Sequence, residues 1–195
     1  MKFEEIKRHL NKCCVGIAGA GGLGSNIAMH LTRVGIGKLI ISDFDVVHES
    51  NLNRQFYFRN QLGLKKVVAL KVNLLAINPD IDVEIHDTQL NAQSIKTLFS
   101  EVDVMVEAFD RAEMKELIAE LFQTEFPNTP LVMGNGMAGW GKSNDMRVQQ
   151  FGNLYLCGDG ITEVTEEFPP LSPRVGICAS MQANEVLGIL LNPNI

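Results

Sequence analysis

Cys13-Cys14-Val15-Gly16-Ile17-Ala18-Gly19-Ala20-Gly21-Gly22-Leu23-Gly24 is the stretch on which the reading of this chain turns. Its first half is a short apolar run, the pattern of a buried strand. From Gly19 onward it matches G-x-G-x-x-G, and residues 24–34 then carry Ile27, Ala28, Leu31 and Val34 at helical spacing. Glycines between a strand and a helix allow a tight turn and a close backbone approach to phosphates. The helix start adds free N–H groups and the positive end of its dipole. Gly19, Gly21, Gly22 and Gly24 are therefore candidate nucleotide contacts.

Leu39-Ile40-Ile41 reads as a second buried strand, ending at Ser42-Asp43. Asp43 stands 19 residues beyond Gly24, where an acidic side chain is placed to bind ribose hydroxyls. Asp45 competes for that role. Downstream the alternation continues. A helix over 65–77 is stopped by Asn78-Pro79. A strand over 81–85, a helix over 91–99, a strand over 102–108, a helix over 112–122 and a strand over 131–133 follow. Residues 146–151 and 154–157 read as a β pair around Gly152-Asn153. Residues 3–12 read as a short polar helix, 158–174 as an acidic, proline-containing loop and 175–191 as a closing helix. Strands alternating with helices imply an α/β, Rossmann-like nucleotide-binding fold. Its central sheet is mainly parallel and flanked by helices, with an antiparallel pair near the C-terminal part. Ligands of such folds sit beyond the carboxyl ends of the strands, which places Gly19–Gly24, Asp43, Asp110 and Gly134 along one edge.

Composition narrows the partners. Among 195 residues, 46% are hydrophobic and 21% charged, an ordinary globular mixture. The net charge of −6, from 17 basic against 23 acidic side chains, lacks the basic excess of a nucleic-acid binder. Apolar runs such as Val67–Leu70 fall far short of the ~18 residues that span a membrane. The start, with Glu4 and Glu5 and no apolar core, is unlike a secretory signal. Cys13 and Cys14 are neighbours in an apolar segment, the pattern of buried thiols in a reducing cytosol, so a cytoplasmic location is expected. With Cys157 and Cys178 they form no C-x-x-C pair, and no structural zinc is expected. The four histidines show no metal spacing.

An adenosine ribose alone does not separate ATP from NAD. The segment after Asp43 does, because it contains Ser50-Asn51-Leu52-Asn53-Arg54-Gln55. The guanidinium of Arg54 is a fixed fork of donors that matches phosphate oxygens, and Asn51 adds an amide donor. Gly63-Leu64-Lys65-Lys66 places a lysine at a helix start. Asp110, after the strand 102–108, could hold Mg²⁺, which takes one or two carboxylates plus phosphates.

In this order, Gly19–Gly24, Asp43-Phe44-Asp45, the string from Ser50 to Gln55, Gly63-x-x-Lys66, Asn78-Pro79 and Asp110 resemble the ThiF/MoeB/HesA family, bacterial relatives of ubiquitin-activating enzymes. The likeness covers about residues 12–135 and more loosely extends to 191. The Ala-Gly-Trp-Gly and Tyr-x-Cys-Gly-Asp-Gly elements are similar to the compact members of thiamine synthesis. The resemblance implies one ATP-binding domain over 1–195, with an N-terminal helix 1–12, a core 13–157, a loop 158–174 and a closing helix 175–191. It implies adenylation of the C-terminal Gly-Gly carboxylate of a ubiquitin-like, ThiS-like sulfur carrier, with ATP and Mg²⁺, by a homodimer. Gly22 would contact the phosphates and Asp43 the ribose. Asn51, Arg54 and Lys66 would stabilise phosphate charge, Asp110 would assist Mg²⁺, and Ser50 and Gln55 would support the site. A molybdopterin-type carrier or another ATP-activated substrate is the alternative within the family. An NAD-dependent oxidoreductase and a non-catalytic nucleotide binder lie outside it. Larger relatives supply an N-terminal arginine to the neighbouring subunit; here Arg8 stands 11 residues before Gly19. Cys157 borders a glycine-rich loop as an accessible candidate for sulfur transfer, whereas Cys178 is expected to pack within its helix. The loop 158–174 either covers the site or lies on the surface.

Overall fold

The computed structural model describes residues 2–192. Residues 1 and 193–195 of the expected unit lie outside the described residues. Seven strands form one sheet: β1 (Cys14–Ala18), β2 (Lys38–Ser42), β3 (Asp82–His86), β4 (Val104–Glu107), β5 (Leu131–Gly134), β6 (Arg147–Phe151) and β7 (Leu154–Gly158). Their order is β3-β2-β1-β4-β5-β7-β6. All pairings are parallel except β6–β7. The α-helices among the described residues are α1 (Phe3–Leu10), α2 (Gly22–Val34), α3 (Lys66–Ile77), α4 (Ala92–Leu98), α5 (Ala112–Thr124) and α6 (Ser172–Leu191).

The strands are apolar at successive positions because both sheet faces are covered. Leu39, Ile41, Val104, Val106 and Val132 face a core completed by Leu31 of α2, Leu70 and Leu74 of α3, and Val186 of α6. The alternate positions Ile40, Met105, Leu131 and Met133 face a second core with Ile95 of α4 and Ile118 and Phe122 of α5. This period-two division is what pleated strands impose. At Gly16 the second face has no room for a side chain. A Cβ there would lie 2.7 Å from both Met105 Sδ and Phe99 Cδ1.

The chain steps outward from β1 to β2 and β3, then crosses to β4 on the other side of β1. That reversal opens a crevice at the carboxyl ends of β1 and β4, the position where doubly wound sheets receive ligands. The glycine loop leaves β1 and Asp110 follows β4, so the topology brings both to this crevice. Most element ends shift by one or two residues from those expected, and two of the shifts bear on the site. Helix α2 starts at Gly22, inside the glycine motif. Helix α6 starts at Ser172, because Pro173 occupies its first turn, where a missing N–H costs no helical bond.

Helix α3 separates burial from exposure within one turn: Leu70 is fully buried and Val72 is 59% exposed. Leu70→Ala is expected to cost about 2–5 kcal/mol, and Val72→Ala less than about 0.5 kcal/mol. Urea denaturation of the two variants checks this. Equal losses would contradict the packing of α3 on the sheet.

Candidate functional site

The glycine loop is shaped by contacts that exclude a Cβ. Gly19 has φ 103°, and its N–H donates to the Ser42 carbonyl at 2.8 Å. A Cβ on Gly24 would lie 1.9 Å from the Gly19 carbonyl oxygen. The first turn of α2 therefore lies directly on the end of β1. A Cβ on Gly22 would meet Val175 Cγ1 at 3.1 Å and Arg54 Cγ at 3.5 Å. The start of α2, the first turn of α6 and the stem of Arg54 thus meet at one residue.

Asp43 binds this loop from the neighbouring strand. Its Oδ2 accepts from Ala20 N–H at 2.7 Å and its Oδ1 from Asp45 N–H at 2.8 Å. On the other side, the buried Tyr57 hydroxyl donates to the Ala20 carbonyl at 2.7 Å. Burial, reinforced by the charges of Asp43 and Asp45, pushes that hydroxyl far above its ordinary pKa. It remains a neutral donor.

The segment with the expected phosphate ligands is fastened to α2. Asn26 Nδ2 donates to the Arg54 carbonyl at 2.8 Å, and Ser25 Oγ accepts from Phe56 N–H at 2.9 Å. Asn51 shapes a short 3-10 turn, Glu49–Asn51, its Oδ1 accepting from His48 N–H at 2.9 Å. Arg54 Nη1 donates to Asn53 Oδ1 at 2.7 Å and to the exposed Ser50's carbonyl at 3.2 Å. Burial pulls the Arg54 guanidinium below its ordinary pKa, and the nearby charge of the exposed Asp110 pushes back. It stays cationic in any case. Gln55 is buried beside Gly21, and its Oε1 has no hydrogen-bond partner among the described residues. A buried acceptor in that state calls for a donor from outside the chain. Lys66 opens α3 and is buried, with its Nζ 2.7 Å from Asp45 Oδ2.

The residues singled out in the sequence are therefore linked to one loop: Asp43 through Ala20, Gln55 beside Gly21, Arg54 over Gly22, Asp110 through its charge on Arg54, and Lys66 through Asp45 to Asp43. Asn51 and Ser50 enter through the turn that carries Arg54. Arg8 is exposed on α1. Cys157 corrects an expectation: it is fully buried, and burial raises its thiol far above the ordinary value. The reason is topological, because β7 is an interior strand between β5 and β6. Cys178 packs as expected. Its Sγ donates to the Cys157 carbonyl at 3.2 Å, and burial pushes its thiol up to about 12. All four cysteines are free.

Sequence reasoning missed the supports. Fully buried Glu107, at the end of β4, takes Lys115 Nζ on both oxygens at 2.8 Å and accepts from Phe109 N–H at 2.6 Å. It thereby anchors the chain just before Asp110. A second buried pair, Arg174–Asp159 at 2.6 Å, joins the start of α6 to the segment after β7. Arg174 also donates to the Gly141 carbonyl at 2.7 Å. Gly139 N–H donates to the Pro169 carbonyl, and the Trp140 and Phe168 rings stack at 5.7 Å. Much of the expected loop 158–174 is thus tied to residues 139–142. Of these supports, the sequence singled out Trp140, its flanking glycines and Asp159, through the two quoted elements, but not the contacts they make.

Together the fold and this edge define a Rossmann-like α/β protein with its polar side chains gathered at the sheet's switch point. The chain belongs to the ThiF family, whose model matches residues 3–195. It is 32% identical over 182 residues to ubiquitin-like modifier-activating enzyme 5 of Caenorhabditis briggsae, covering 85% of this chain and 41% of that protein. It is 31% identical over 183 residues to the adenylyltransferase and sulfurtransferase MOCS3 of Dictyostelium discoideum, covering 90% and 42%. The chain thus spans about two-fifths of the length of these relatives. Among solved structures, E. coli tRNA N6-threonylcarbamoyladenosine dehydratase TcdA in complex with ATP superposes with a TM-score of 0.86 at 20% identity, over 97% of this chain and 90% of that one. E. coli MccB with ATP gives 0.73 at 24% identity, over 95% and 57%. No helix among the described residues is long and apolar enough to cross a membrane.

Burial alone would raise the Asp159 carboxyl. The Thr162 and Ile161 N–H donors, the Thr162 hydroxyl and the Arg174 charge outweigh it and hold the carboxyl below its ordinary value. Such a group stabilises the fold above its unfolded-state pKa, and the contribution is lost as pH falls through the folded value. Asp159→Asn is expected to cost about 3–5 kcal/mol near pH 7, with the difference from wild type shrinking below about pH 4. Urea midpoints across that range check it, and a pH-independent difference would contradict a role for the charge.

Proposed function

We propose that this chain binds ATP and adenylates the C-terminal carboxylate of a ubiquitin-like carrier protein. The observation that carries the reading is the meeting at Gly22 of a glycine-loop helix start and the Arg54 side chain. An arginine whose stem lies on a helix N-terminus can bring its guanidinium to a phosphate bound there. Membership of the ThiF family adds support, as do the named activities of the relatives, an adenylyltransferase and a modifier-activating enzyme.

The attacking carboxylate has an ordinary pKa of about 3.3–3.7, so it is ionised near pH 7 and needs no general base. Its oxygen attacks the α-phosphorus of ATP. One C(O)–O–P bond forms, the bond to the β-phosphate oxygen breaks, and pyrophosphate leaves with the electron pair. Positioning and charge stabilisation carry such a step. The glycine loop binds the phosphates, Asp43 holds the ribose, and Arg54, Lys66 and Asn51 meet the charge that develops. Gln55 offers its unpaired Oε1 to a ligand donor.

Asp110 suits a hydrated Mg²⁺. It is one exposed carboxylate, and among the described residues no group of three His, Cys, Asp or Glu forms a metal cage, so the other ligands would be phosphates and water. When bound, the ion would neutralise phosphate charge.

The carrier is a ThiS-like protein ending in Gly-Gly, in the making of the thiamine thiazole, and the working unit is a homodimer. The Ala138-Gly139-Trp140-Gly141 and Tyr155-Leu156-Cys157-Gly158-Asp159-Gly160 elements support this finer reading by their likeness to compact thiamine-type members.

ATP–pyrophosphate exchange tests both levels. Exchange is expected to require a Gly-Gly carrier and to fall by about 10²–10³ in Arg54→Ala. Exchange with a molybdopterin-type carrier alone would reassign the partner. ATP binding without exchange for any carrier would overturn the enzymatic reading.

A further inference from the structure

Asp43 and Asp45 compete, in sequence, for one ribose. The structure separates them. The Asp43 carboxylate reaches back to the glycine loop at Ala20, whereas the Asp45 carboxylate turns the other way, to Lys66. The Lys66 side chain is only 7% exposed. A buried ammonium is costly unless paired, and among the described residues its partner is Asp45 Oδ2. An ammonium has three donors, so the pairing leaves two for a phosphate.

The backbone fixes this pair as well. Lys66 N–H donates to the Asp45 carbonyl at 2.9 Å, and Val46 and Lys65 form an antiparallel bridge. Val47 N–H donates to the Leu64 carbonyl at 2.8 Å, and Gly63 N–H to the Val47 carbonyl at 2.9 Å. The segment after β2 is therefore zipped to the start of α3. Asp45 N–H in turn donates to Asp43 Oδ1. An unbroken chain of hydrogen bonds runs from Ala20 through Asp43 and Asp45 to the Lys66 ammonium.

We infer that Asp45 is the positioning residue of Lys66, holding its ammonium ready for the phosphate end of a nucleotide whose sugar Asp43 receives. This rests on the ATP reading above. A free lysine has four side-chain torsions to freeze on binding. One already held by a carboxylate presents its remaining donors with most of that entropy already lost. Asp45 touches no phosphate itself; it acts through Lys66.

The test compares two ligands by titration calorimetry: ATP, and adenosine, which has the sugar and no phosphate. Asp45→Asn keeps the shape and removes the charge. It is expected to weaken ATP about tenfold and to leave adenosine within about twofold. Lys66→Met is expected to show the same selective loss, and the double variant to be no weaker than Lys66→Met alone. Asp45→Glu is expected to recover part of the ATP affinity; thermal unfolding confirms that each variant is folded. Equal losses for both ligands would overturn the inference and make Asp45 a shaper of the loop. Tighter ATP binding by Asp45→Asn would overturn it in the opposite sense, with the carboxylate competing against phosphate. If wild type binds adenosine but gains nothing from the triphosphate, the ATP reading and this inference fall together. Selective ATP binding with unchanged Asp45→Asn affinity defeats the inference alone.

Discussion

Gly24 rests against the carbonyl of Gly19, with no room for a methyl group between them. That contact sets the distance and angle between the end of β1 and the start of α2. The same Gly19 crowds the Ala108 carbonyl, which a Cβ would approach to 2.6 Å. Strand β1, helix α2 and the exit from β4 are thus mutually fixed through one residue at φ 103°. The free N–H groups of the first turn of α2 then lie at the crevice, and the chain delivers Asp110 to the same place. A larger residue at either glycine would separate the helix from the sheet and disperse the edge.

Much of this was legible in the sequence because it depends on local pattern. The apolar runs around Ile17, Ile40 and Val106 read as strands covered on both faces, and the glycine motif lies between one of them and a helix-periodic segment. What escaped notice depends on register between distant segments. Asp45 meets Lys66 because residues 45–47 pair with 63–66, and no periodicity announces that bridge. Nothing in the sequence signals that the Tyr57 hydroxyl lies on the Ala20 carbonyl. Cys157 looked accessible because glycines follow it. Burial was decided instead by β6 closing the outer side of β7 and α6 covering its face. Pro173 read as part of a loop, although proline suits the first turn of a helix.

The site also shows how an acidic chain can hold cationic groups at low exposure. Lys66 and Arg174 are both buried, and each faces a carboxylate from a different segment. Such pairs contribute little to net stability over an apolar alternative, but losing one partner is costly. Their effect is geometric. Arg174 ties the segment after β7 to Gly141 and to α6, whose Val175 lies against Gly22. The clamp therefore stands one residue along the helix from the contact with the glycine loop. The Glu107–Lys115 pair does the same for the chain before Asp110.

These supports explain why the cations of the edge differ in character. Arg54 is half-exposed and leans on its own loop through Asn53 and Ser50, contacts a ligand can replace without disturbing the core. Lys66 is enclosed, with its carboxylate partner built into the backbone pairing of α3. A stepwise charge change at phosphorus requires donors that are already oriented, because reorganising them during reaction would return the stabilisation they supply. On the proposed reading Lys66 meets that requirement by burial and pairing, whereas Arg54, held by its own loop, is the cation that adjusts. The site thus combines one fixed and one adjustable cation around a loop that has no freedom of its own. That is the division of labour needed if the same edge must admit a nucleotide and a protein carboxylate in turn.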